Sequence, residues 1–79
     1  MSLSAFVGAL VKECVNEPEA VSVEEVEERG SIVYRVTVSQ GDIGRIIGKD
    51  GRVISAIRHV VAGAGSKAGE RTMVKIVEA

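Results

Sequence analysis

The residues of this 79-residue sequence best suited to chemistry are Gly48-Lys49-Asp50-Gly51 and the cations around them. Ile43, Ile46 and Ile47 before the four, and Val53, Ile54 and Ile57 after them, recur at helical spacing. The four residues therefore form a tight turn between two helices that must pack closely, and a side chain at either glycine would obstruct it. Such a turn aims the start of the second helix outward, where unpaired N–H groups and the positive end of the helix dipole attract anions. Lys49 and Arg52 flank that point, with Arg45 and Arg58 on adjoining turns. The chemistry on offer is reversible contact with a phosphate backbone, which can approach without a Cβ in the way.

A bare G-x-x-G also serves as plain punctuation between helices. Rival phosphate motifs fail on spacing and context. Three residues separate Gly44 from Gly48-Lys49 where a P-loop needs four, and Asp50 stands where Ser or Thr would bind the metal. Gly63-Ala64-Gly65-Ser66-Lys67-Ala68 loosely fits a dinucleotide pattern, yet it follows a helix and precedes a strand, the reverse of a dinucleotide site. His59 is the only histidine and has no cysteine at ligand spacing, so it reads as a surface or groove residue. No paired carboxylates, no nucleophile with a base and no metal set are present, which argues against an enzyme, a resident metal or a cofactor.

The elements that must position the turn are legible in the hydrophobic periods. Leu3, Phe6, Val7, Leu10, Val11 and Cys14 share one helical stripe, and Pro18 stops that helix around Asn16. Cys14 on the apolar stripe reads as a buried, inert thiol. The period then becomes two, with Val21 and Val23 followed by an out-of-step Val26 that predicts a bulge or a frayed end. Ile32, Tyr34, Val36 and Val38 form the inner face of a second strand, and Gly30 supplies the hairpin turn between the two. Asp42 is placed to cap the short helix carrying Ile43, Ile46 and Ile47. The helix after the turn is predicted over Arg52 to Ala62, ended by Gly63 and Gly65, with a last strand following Gly69. The order is α-β-β-α-α-β.

The run Gly44-Arg45-Ile46-Ile47-Gly48-Lys49-Asp50-Gly51-Arg52-Val53-Ile54 in a β-α-α-β frame resembles the signature of the KH (K-homology) RNA-binding domain. The leading helix and strand resemble the type II-like arrangement, and the size resembles the bacterial single-domain KH proteins of the KhpA family. That resemblance implies an α+β fold, a three-stranded sheet with three helices on one face, forming one KH domain over residues 1–79. It also implies single-stranded RNA in a groove, with Gly48, Lys49, Asp50 and Gly51 as the clamp. Ile46, Ile47, Val53 and Ile54 would wall or support that groove, Arg45 and Arg52 would flank it, and the strand near Val74 to Ile76 would line its far side. By the same likeness the protein is a cytoplasmic RNA chaperone or post-transcriptional regulator. It would form a homodimer, or a heterodimer with a larger KH-containing RNA-binding protein linked to cell elongation and cell shape. Asp50 departs from the family pattern: it places a carboxylate inside the clamp that should repel phosphate at short range, unless it caps the second helix or is offset by Lys49 and Arg52.

Composition bounds these readings. One Cys excludes an internal disulfide, and 3% aromatic residues argue against a surface built on stacked rings. The apolar stretch from Leu3 to Val11 lacks a basic leading segment and is too short to span a membrane. The net charge of −1 conceals an asymmetry. Residues 1–30 set two basic residues against seven Glu, and residues 31–79 set eight basic residues against four acidic ones. A basic surplus this small neutralises few phosphates, so modest affinity and a shallow salt dependence are expected. The competing reading is a protein-interaction module, in which the small residues of Val60-Val61-Ala62-Gly63-Ala64-Gly65 admit another chain.

Overall fold

A computed structural model describes residues 3–78. Residues 1, 2 and 79 of the expected single domain lie outside it. The elements are α1 (Ser4–Lys12), β1 (Ser22–Glu28), β2 (Ser31–Val38), α2 (Ile43–Ile47), α3 (Arg52–Lys67) and β3 (Arg71–Glu78). The architecture is the expected α+β one, and the α-β-β-α-α-β order holds. The sheet order is β1-β2-β3, with β1 antiparallel and β3 parallel to the central strand.

Strand alternation sends Tyr34, Val36, Val38 and Val74 to one face of the sheet, and the helices cover that face with Val7, Val11, Ile46, Ile54, Ile57 and Val61. Each aliphatic side chain enclosed in this way contributes on the order of 1.5–3 kcal/mol, so the core fixes how α2 and α3 meet. The first-helix stripe is narrower than expected. Leu3, Val7 and Val11, spaced by four, are buried, while Phe6 at the stripe's margin is 41% exposed. Cys14 is only half-buried, and its thiol donates to the Leu10 carbonyl at 3.5 Å.

Three local expectations are corrected, the first being a helix end: α1 stops at Lys12 and not around Asn16. β1 pairs with β2 in unbroken register from Ser22↔Thr37 to Glu28↔Ser31, so there is no bulge at Val26. Val26 simply occupies the helix-free face, in one row with Val33 and Met73. The hairpin turn takes positive φ at both Arg29 and Gly30, the twist that a two-residue connection requires. Finally, α3 runs through Gly63 and Gly65 to Lys67. It ends where Gly69 adopts φ +76°, with Glu70 N–H donating to the Gly65 carbonyl and Gly69 N–H to that of Ser66. Gly65 is needed for close approach, since a Cβ there would stand 2.5 Å from Thr72 Cγ2 and 3.3 Å from the Glu70 carbonyl.

Tyr34, on the central strand, is 1% exposed and belongs to the core. Burial, then the carboxylates of Glu25 and Glu70, push its phenol above the usual range, against a backbone hydrogen bond at Leu3 that pulls it down.

Candidate nucleic-acid interface

The turn between α2 and α3 is built from backbone conformations that few residues adopt. Gly48 has φ +76°, Asp50 φ +57° and Gly51 φ +73°. The two glycines do different work. A Cβ on Gly48 would lie 2.8 Å from Val53 Cβ and 2.9 Å from its amide nitrogen, closer than atoms pack. Nothing lies within 4 Å of a Cβ placed on Gly51. Gly48 is thus closed in by α3, whereas Gly51 leaves bare backbone facing open space, a correction to the expectation that both would be obstructed.

α3 begins at this bare point. No side chain caps its first turn, which removes the capping role left open for Asp50; instead Gly51 N–H donates to the Gly48 carbonyl at 3.2 Å and Arg52 N–H to that of Lys49. Lys49, Asp50 and Arg52 are exposed around it. Among the described residues, no ion pair neutralises Lys49 or Arg52.

The remaining expected site residues divide by depth. Ile47 is 40% exposed beside the turn. Ile46 is fully enclosed and Ile54 is 7% exposed, so they hold the turn from beneath and are not available for contact. Arg45 points its charge elsewhere: its Nε lies 3.7 Å from the Asp42 carboxylate, and with the Asn16 amide oxygen turned towards it, that oxygen accepts from Nε and Nη2 at 3.0 Å.

Asp42 itself does not cap α2 with its side chain. It is 2% exposed and accepts hydrogen bonds from the backbone N–H groups of Asn16 at 3.1 Å and Glu17 at 3.0 Å, and from the Ser39 hydroxyl at 3.1 Å. The Asn16 bond holds its carboxyl below the usual carboxylate range. Glu17, Ser39 and the Arg45 charge add to that effect, and burial opposes it. This clasp ties the segment after α1 to the start of α2.

A groove of about 650 Å³ opens between α3 and β3, the edge strand on the basic side of the sheet. Ser55, Arg58, His59 and Ala62, spaced i, i+3, i+4, i+7, line one wall, and residues 72–75 line the other. Val74, expected on the far wall, lines this groove, whereas Ile46, Ile47, Val53 and Ile54 do not. Arg58 and His59 are among the residues the sequence singles out, near the turn and as a surface or groove residue, whereas Ser55 and Lys75 are not. The signal for Ser55 was the polar stripe of α3, opposite its apolar arc. Among the described residues no cluster of His, Cys, Asp or Glu could hold a metal ion, and no helix is long and apolar enough to cross a membrane.

Comparison with known proteins gives one family. The family model "KhpA/KhpB, KH domain" matches residues 4–76. The RNA-binding protein KhpA of Chlamydia trachomatis is 40% identical over 76 residues, covering 96% of this chain and 97% of its own length. The RNA-binding protein KhpA of Listeria monocytogenes is also 40% identical over 76 residues, covering 96% and 100%. That of Oceanobacillus iheyensis is 33% identical over 75 residues.

Proposed function

This chain belongs to the non-enzymatic KhpA/KhpB family of KH domains, and from that premise we propose that it is an RNA-binding protein of the cytoplasm. It holds single-stranded RNA with the Gly48–Gly51 turn against the sugar-phosphate backbone and the bases in the groove between α3 and β3. The observation that carries this reading is the bare backbone at Gly51, at the uncapped start of α3 and between the unneutralised Lys49 and Arg52. Holding strands without pairing them is how such a protein would act as an RNA chaperone.

Replacing Lys49 and Arg52 together by Glu is expected to lower RNA affinity at least about tenfold near ~0.1 M salt while the circular dichroism spectrum stays unchanged. Contact with about four phosphates predicts a log–log salt slope near −3. Failure of the unaltered protein to retain any RNA on a filter at low salt would overturn the reading.

A second reading, association with another KH chain, has its own observation. A largely apolar groove of about 330 Å³ lies between α1 and α3, lined by Leu10, Cys14, Val53, Ala56, Ile57 and Val60, the last 47% exposed, with Arg52 at its side. The small-residue stretch contributes less than expected, because Val61 is in the core and Gly65 is packed against Thr72. Light scattering across concentrations tests for a homodimer, which Val60→Glu is expected to abolish. A strictly monomeric unaltered protein would sink it.

A further inference from the structure

One cation in the α3–β3 groove is not accounted for by phosphate contact at the turn. Arg58 lies seven residues beyond Gly51, about 10 Å along α3 at ~1.5 Å per residue. That is too far to share the phosphate held at the turn, and it is the depth at which the attached base would lie. Its Nε–H donates to the Val74 carbonyl at 3.4 Å. This bond draws the guanidinium from the helix across to the edge strand and leaves the two Nη groups as unused donors. Among the described residues no carboxylate lies within ion-pairing distance of it.

We infer that Arg58 is the base-reading residue of this groove and selects guanine through a bidentate contact to its O6 and N7 acceptors. The inference rests on the RNA-binding reading above. A guanidinium presents paired N–H donors in a rigid plane, and guanine presents two adjacent acceptors along one edge. Adenine places an amino donor beside N7, so one half of the fork meets another donor. Cytosine's adjacent acceptor pair, O2 and N3, lies on its Watson–Crick edge nearer the sugar, so a fork fixed where guanine presents O6 and N7 meets its amino donor instead, and uracil presents a single carbonyl there. In single-stranded RNA these edges are free of base pairing, so the contact needs no duplex to be opened. The other polar groups of the groove, Ser55, His59 and Lys75, do not present a planar fork.

Fluorescence anisotropy with uridine heptamers carrying one central guanosine, adenosine, cytidine or 7-deazaguanosine tests the assignment. The unaltered protein is expected to bind the guanosine heptamer at least about fivefold more tightly than the adenosine and cytidine ones, the low end of a bidentate base contact. It is expected to lose that preference with 7-deazaguanosine, which keeps O6 and lacks N7. Arg58→Lys is expected to bind all four alike, and Lys49→Glu to weaken all four by a common factor. Equal binding of the four by the unaltered protein overturns the inference and leaves RNA binding standing. So does a guanosine preference that survives in Arg58→Lys or with 7-deazaguanosine. No binding to any heptamer at low salt overturns the RNA-binding reading itself.

Discussion

The two ends of the five-residue helix α2 have opposite surroundings. At its start, Asp42 is buried and surrounded by three hydrogen-bond donors, with Arg45 alongside. At its end, the turn from Gly48 to Gly51 is open, uncapped and flanked by unneutralised cations. The first end uses its charge to fasten one part of the chain to another. The second leaves the charges of Lys49 and Arg52, beside backbone at Gly51 that no side chain covers, for something outside the protein. A buried polar group that is fully partnered stabilises a structure, whereas exposed donors without partners cost little in water and remain available for a ligand.

Substitutions can break this contrast, beginning with the largest effect. Gly48→Ala combines a positive φ with a collision against Val53 and is expected to cost about 3 kcal/mol of stability, read by denaturant unfolding. Gly51→Ala carries the φ strain alone and is expected to cost about 1 kcal/mol. Equal costs would show that both glycines are enclosed.

Asp42→Asn is next. It places an amide where three donors converge and is expected to lower the melting midpoint by more than about 4 °C at neutral pH. The folded carboxyl titrates below its ordinary value, so the clasp's stabilisation is present in full above the unfolded value near ~3.9 and is lost as pH falls through the folded one. The acid limb of the stability–pH curve should therefore flatten in Asp42→Asn, and an unchanged limb would remove the clasp from the account.

The smallest effect sharpens the other end. Asp50→Asn keeps a residue type that tolerates φ +57° and removes the one carboxylate of the turn. Stability should change by less than about 0.5 kcal/mol, while RNA affinity in filter binding rises. A fall in affinity would mean that Asp50 contributes to the contact.

Much of this was written in local spacing. The periods of two and 3.6 locate all six elements, and the glycines between Ile47 and Arg52 mark the turn between α2 and α3. Asp42 was misread because a residue before an apolar run normally caps it, and its partners Asn16 and Glu17 lie 26 and 25 residues away. The approach of Asn16 to Arg45 is likewise illegible in the sequence, because the two lie far apart along the chain. The end of α3 was misplaced because Gly65 serves Thr72 across the fold and not the helix that contains it.

The sequence by itself determined the order of elements, the family and the position of the turn, because these depend on residues close together along the chain. Only the tertiary structure decided which charges are free. Asp42 is satisfied internally with Arg45 beside it, Lys49 and Arg52 are exposed, and Arg58 reaches Val74 across a groove. Whether a charge is available depends on what packs beside it, and for these residues that was set by chain folding back from 16 to 26 positions away.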